Sequence, residues 1–314
     1  MKKRLITGLI LSLILIPMIS FEIFLGVFQV FMMLFVVIAA SEMIRMFEKE
    51  KKFEWLPKIG IVLLTLATFF SVAGVFGDLE HSPLEANGLL SITIPLITLI
   101  LFSFLVLFRN FNGVDVGKAL TIINYVGLGS ASLVILRFLG VRFIVYLLLI
   151  TTATDVFAYL FGVKYGKHKL APHISPKKSW EGAIAGTIFA TIIASSFALF
   201  YGTFFQPGTV IGDFLNASGQ MTLLDNFSTL GESTPVWVQA LIIIPITMLA
   251  SIFAQIGDLV ASRLKRTYNI KDFGTILPGH GGLLDRFDSA LFVAMFLTAI
   301  FLLIYRLFPT VVIL

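Results

Sequence analysis

Residues 236–260 read VWVQALIIIPITMLASIFAQIGDLV, and residues 262–288 then read SRLKRTYNIKDFGTILPGHGGLLDRFD. The first run holds Asp258 as its only charged residue and exceeds the roughly 20 apolar residues that a helix needs to cross a bilayer. The second run is crowded with cations, acids and glycines. An apolar helix that empties into a charged loop is the unit of a polytopic membrane protein, and the rest of the chain repeats it. Further apolar runs at 5–21, 23–44, 59–77, 89–108, 119–138, 142–163, 180–203 and 284–306 bring the expected number of spanning helices to about nine. The composition agrees: 58% of the 314 residues are hydrophobic and 13% charged, with a mean hydropathy of +0.98. The expected fold is all-α, one membrane domain over 1–314.

Charge sets the expected orientation, because Lys and Arg favour the cytoplasmic side. Nine helices with the N-terminus inside and the C-terminus outside put every one of the 23 basic residues on the cytoplasmic face except Arg137, Arg142 and Arg306. The outer loops 77–88 and 202–235 contain neither Lys nor Arg. Met1-Lys2-Lys3-Arg4 precedes an apolar run without an A-x-A-like cleavage site, so the first helix is expected to be retained. The net charge of +5 then gathers on one face, where it attracts anionic headgroups or nucleotides. There is no cysteine, which excludes disulfides and thiolate metal sites.

Residues 1–140 have short loops and little charge within their apolar runs, and are expected to be scaffold. Residues 141–314 carry two long cytoplasmic loops, 164–179 and 262–283, and are expected to hold the chemistry. Acids inside spanning segments are costly and mark functional sites. Asp155, in TTATDVFAYLFG, reads equally well as an interhelical hydrogen-bonding group. Asp258 sits two turns before a basic cluster. Asp285 and Asp288 are three apart, which puts them on one face of the last helix, with Asp285 in its first turn. A carboxylate there also complements the helix dipole.

Carboxylates arriving from consecutive helices suit a hard cation such as Mg²⁺, completed by water and substrate phosphates. Arg263, Lys265, Arg266 and Lys271 are candidates to hold phosphate oxygens. Gly279-His280-Gly281-Gly282 is expected to offer backbone N–H groups to a ligand at a helix start. The other loop, HISPKKSWEG, repeats the theme through Lys177 and Lys178, although positive-inside topology alone explains those lysines. From these residues two readings remain: phosphoryl or nucleotidyl transfer involving a lipid, or transport of an anionic substrate. Internal repeats are not visible, which disfavours the repeated transporter folds.

Ser262, Lys265-Arg266, Lys271-Asp272, Gly274, Leu277-Pro278, His280-Gly281-Gly282, Asp285-Arg286 and Asp288 together resemble the signature of the phosphatidate cytidylyltransferases, or CDP-diglyceride synthases. SPKKSWEG at 175–182 resembles a second motif of that family, and Asp155 with Ala158-Tyr159 fits its pattern. The resemblance covers the C-terminal half and implies an integral membrane enzyme that forms CDP-diacylglycerol and pyrophosphate from CTP and phosphatidate. It implies a homodimer, Mg²⁺ on Asp258 and Asp285, a neighbouring monovalent cation such as K⁺, and Asp288 as a nearby essential acid. Lys265 joins these as a catalytic candidate. Ser175, Lys177, Lys178, Arg266, Lys271, Asp272, His280, Gly281, Gly282 and Arg286 are the expected substrate-binding residues. The expected setting is the bilayer of a cell (plasma) membrane with the site facing the cytosol, and no nucleic-acid partner is expected.

Overall fold

A computed structural model describes residue 13 and residues 15–74, 87–206, 208–215, 219–232, 234–277, 279 and 281–309. The long helices are α1 (Leu25–Phe47), α2 (Trp55–Ala73), α3 (Asn87–Leu107), α4 (Gly113–Ile122), α5 (Gly129–Leu139), α6 (Val141–Tyr165), α7 (Trp180–Leu199), α8 (Val236–Thr267) and α9 (Asp288–Leu307). A π-helical segment, Ile123–Leu128, joins α4 to α5. Among the described residues seven helical stretches are long and apolar enough to cross a membrane, with 113–139 counted as one. The chain is therefore a helical, multi-pass membrane protein. The expected span at 89–108 falls in α3, whose apolar part Ile92–Leu107 is shorter, and the span at 5–21 lies largely outside the described residues.

One departure from an all-helical chain lies in the loop at 164–179. There β1 (Lys169–Ala171) and β2 (Ser175–Ser179) form an antiparallel hairpin that pairs Lys169 with Ser179 and Ala171 with Ser175. The hairpin ends in a helix cap: Ser179 has extended backbone and its Oγ accepts the N–H of Gly182 at 3.2 Å. Glu181, in the first turn of α7, accepts the N–H groups of Lys167 and His168 at 3.2 Å and contacts His168 Nδ1 at 2.7 Å.

The chain divides into two compact units, Met1–Phe138 with Ala261–Leu291, and Leu139–Val260 with Phe292–Leu314. The first unit is not poor in buried charge, as its short loops had implied. Glu42 is fully buried, and Asp115, Lys118 and Arg137 are nearly so. Asp115 closes a capping box with Asn112 at the start of α4 and takes Lys51 Nζ at 2.6 Å. Lys118 pairs with Glu50 at 2.9 Å and lies over the rings of Phe47 and Tyr268. Burial raises the Tyr268 phenol above the usual tyrosine range, so it packs as a neutral group.

In the second unit α6 and α7 approach closely through small residues. A Cβ added at Gly182 would stand 2.5 Å from the Ala158 carbonyl oxygen, and one at Gly186 2.7 Å from that of Thr154. Glycines four apart thus let two backbones meet, the device by which membrane helices associate when apolar side chains gain little over lipid. Hydroxyl contacts tie α6 to α8 in the same unit: Tyr146 with Thr247 at 2.6 Å and Thr154 with Ser251 at 2.7 Å.

Candidate active site

In the first unit α8 ends at Thr267, and Arg266 turns its guanidinium onto the carbonyl of Ile270, in the loop beyond the helix, at 3.1 Å. Lys265, one residue earlier, points the other way. Its Nζ reaches Asp285 Oδ1 at 2.7 Å, lies 3.9 Å from Asp288 Oδ2, and stands 4.9 Å from the centre of the Phe273 ring. The pair is well removed from solvent, with 11% of the Lys265 side chain and 3% of the Asp285 side chain exposed. Removing one partner of such a pair costs far more than breaking a surface ion pair, because the other charge is left buried and unpaired.

The other oxygen of Asp285 is also engaged. Oδ2 accepts the N–H of Phe273 at 2.8 Å and that of Gly282 at 2.9 Å. The sequence placed Asp285 in the first turn of the last helix, beside Asp288. The structure puts it instead in a separate 3-10 turn, Leu284–Arg286, and starts α9 at Asp288, whose Oδ1 accepts the N–H of Ser289. The two acids therefore do not share one face of a regular helix. Both nonetheless reach Lys265.

The glycine turn differs from expectation in a second way. Leu277 and Gly281 form an isolated bridge, and Gly279 and Gly281 have φ of 78° and 87°, where only glycine is unstrained. The N–H groups that follow are not left for a ligand. Gly282 donates to Asp285, Leu283 to Glu42 Oε1 at 3.0 Å, and Leu284 to Glu42 Oε2 at 2.9 Å. Glu42 was missed by sequence reasoning. The signal was present, an acid in the apolar run FVVIAASEMIRMF of α1, but Arg45 and Glu48 just beyond made it look like the edge of a charged loop. His280 and Pro278 lie outside the described residues.

Beside this cluster the turn walls a polar cavity of about 640 Å³, lined by Lys271, Asp272, Gly274, Gly281 and Arg286 among others. Lys271, Asp272 and Arg286 are exposed. Exposed cations thus stand at the cavity, where an anion arriving from water meets them.

The second unit holds its own cluster. Lys178 forms an ion pair with Asp258 and borders a cavity of about 470 Å³ that is also lined by Asp155, Tyr159, Lys169, Lys177 and Gln255. Asp258 itself is not among the lining residues. Gln255 is held in place by the Thr187 hydroxyl at 2.9 Å and the Ala183 carbonyl at 3.2 Å. Ser175, at the far end of β2, pairs with Ala171 and does not line this cavity. Lys169, which sequence reasoning did not single out, does.

Metal-binding capacity can be judged from the donors. No group of three or more His, Cys, Asp and Glu side chains that could hold a metal occurs among the described residues. Asp285 already accepts three contacts, and an ionised carboxylate offers about four acceptor sites. It therefore fits as one oxygen ligand of a hard cation that takes its remaining ligands from another carboxylate, water and substrate phosphates. The oxygen-only donor set does not suit a soft metal.

Comparison with known proteins gives a consistent picture. Residues 2–304 match the pattern of the cytidylyltransferase family. A protein named phosphatidate cytidylyltransferase from Bacillus subtilis (strain 168) is 32% identical over 304 residues, covering 95% of this chain and 96% of that relative. Proteins of the same name from Staphylococcus aureus (strain COL) and Staphylococcus haemolyticus (strain JCSC1435) are 38% identical over 195 residues. The chain spans 62% of the length of these staphylococcal relatives.

Proposed function

The chain belongs to the cytidylyltransferase family, and from that premise we propose that it transfers the cytidylyl group of CTP to phosphatidate, giving CDP-diacylglycerol and pyrophosphate for phospholipid biosynthesis. The observation that carries this reading is Lys265 held against Asp285 and Asp288 beside a glycine-walled cavity lined by Lys271 and Arg286. Fixed charge of both signs next to a backbone-walled polar cavity is what a triphosphate and its counter-ion require.

A phosphate oxygen of phosphatidate attacks the α-phosphorus of CTP. The new oxygen–phosphorus bond forms as the bond from the α-phosphorus to the bridging oxygen breaks, and pyrophosphate leaves with the electron pair. The attacking group is already anionic near neutral pH, so positioning and charge neutralisation dominate over proton removal. Lys265, Arg266 and Arg286 neutralise phosphate oxygens, with Lys271 and Asp272 at the cavity rim. Lys177 and Lys178 receive the lipid headgroup or the triphosphate, and Lys178 exchanges its Asp258 partner for the substrate as it does so. Ser175, His280, Gly281 and Gly282 complete the substrate-binding set.

Asp258 and Asp285 would hold Mg²⁺ in this reading, with Asp288 in support and K⁺ as a second cation. When bound, the divalent ion supplies charge neutralisation at the phosphates. We further propose nine spanning helices with the N-terminus cytosolic and the C-terminus outside, a homodimer in the plasma membrane, and a site open to the cytosol. CTP then arrives from water while phosphatidate keeps its acyl chains in lipid.

Substrate exchange tests the reading. Purified protein in micelles with Mg²⁺ should give a lipid-soluble cytidine product from CTP and phosphatidate. It should give much less with ATP in place of CTP, or a polyprenyl phosphate in place of phosphatidate. A product formed equally well from ATP would make it a different transferase. Lys178→Ala should weaken the apparent affinity for one of the two substrates, and unchanged kinetics would remove the second loop from the site.

A further inference from the structure

Glu42 takes no part in the chemistry just proposed, yet the first unit commits a fully buried carboxylate to it. A buried carboxylate is tolerated only where hydrogen bonds replace its hydration. Glu42 has them from the backbone, with Oε1 accepting from Leu283 at 3.0 Å and Oε2 from Leu284 at 2.9 Å. The preceding N–H, of Gly282, goes to Asp285 Oδ2 at 2.9 Å. Three successive N–H groups are thus divided between two carboxylates, and one of these is Asp285.

The loop is also shaped to admit the Glu42 side chain. A Cβ added at Gly274 would stand 2.2 Å from Glu42 Oε1, and one at Gly282 2.6 Å from the Gly274 backbone nitrogen and 2.7 Å from Glu42 Oε2. Neither glycine is required here by a positive φ; a side chain is excluded at Gly274 by close approach to Glu42, and at Gly282 by Glu42 together with the Gly274 backbone. A residue that only filled space between α1 and this loop would be apolar. This one binds the two backbone N–H groups immediately before Asp285.

We infer that Glu42 is a positioning residue for cytidylyl transfer: from α1 it pins the 282–284 turn, and through that turn it sets the direction of the Asp285 carboxylate. The transfer itself rests on the reading under Proposed function, whereas the pinning rests on the hydrogen bonds alone.

Glu42→Gln is the sharpest test, because both carboxylate oxygens accept. Glutamine keeps one acceptor and turns an NH₂ donor onto the other backbone N–H. Amide exchange measured on the full chain in micelles should speed up at 282–285 and stay unchanged at the buried ends of α1 and α2. The kcat should fall roughly ten- to hundredfold, as misplacement of a reacting group by about an ångström does. KM for CTP and for phosphatidate should stay within about twofold, because no substrate contact is lost. Glu42→Asp, which restores two accepting oxygens on a shorter stem, should recover part of the kcat.

Wild-type kcat in Glu42→Gln, or unchanged exchange at 282–285, would overturn the inference. So would exchange that rises throughout 25–138, which would make Glu42 a support of the whole unit. If wild-type protein formed no CDP-lipid, the reading of the reaction would fail, while the exchange comparison would still decide the pinning.

Discussion

Asp285 is the residue on which the account turns, because one carboxylate meets a cation and two backbone donors. Removing Lys265 while Asp285 stays charged leaves a buried carboxylate without its counter-charge. Lys265→Met should therefore destabilise the protein by about 2–4 kcal/mol, and Lys265→Met with Asp285→Asn by clearly less than the sum of the two single changes. Detergent unfolding of the four proteins measures that coupling, and strict additivity would show that the pair contributes nothing. CDP-lipid formation should fall roughly hundredfold in Asp285→Asn. These residues were legible in the sequence because charge is rare and costly beside an apolar span, and because they stand at fixed spacing in one loop. Glu42 was less legible. Nothing local to α1 says that its partners are backbone groups more than two hundred residues away.

Helices were easier to read than the ways they start and meet. Apolar runs located α1, α2, α6, α7, α8 and α9, since length and hydropathy alone decide which segments can span. The 3-10 turn that separates Asp285 from α9 was not visible, because a spacing of three fits a continuous helix equally well. The hairpin at 169–179 was hidden for a different reason: its strands are short and their residues polar, and it is held by Glu181 instead of by an apolar face. The crossing of α6 and α7 was written in glycines that a search for chemistry passes over. Gly182→Ala should cost about 1–3 kcal/mol in detergent unfolding, since its methyl would press on the Ala158 carbonyl. Ala at Gly26, where a Cβ meets nothing within 4 Å, should be close to neutral. Equal stability of the two variants would mean that the close approach of α6 and α7 does not matter.

For the chain as a membrane protein, the absence of cysteine makes orientation directly measurable. A single cysteine placed at Lys52 should react with an impermeant reagent only from the cytosolic side, and one at Gly219 only from the outside; reversed labelling would overturn the proposed topology. Orientation matters because CTP is cytosolic, and a site built from 262–288 is useful only where that loop meets it. The central claim remains that the α-phosphorus of CTP is transferred to a lipid phosphate. The most direct measurement uses proteoliposomes containing phosphatidate and Mg²⁺, supplied with CTP labelled separately at the α- and γ-phosphates. The α label should enter the lipid phase one-for-one with pyrophosphate that carries the γ label. A γ label on the lipid would reveal a kinase, and both labels accumulating unaltered inside the vesicles would reveal a transporter; either result would contradict the account.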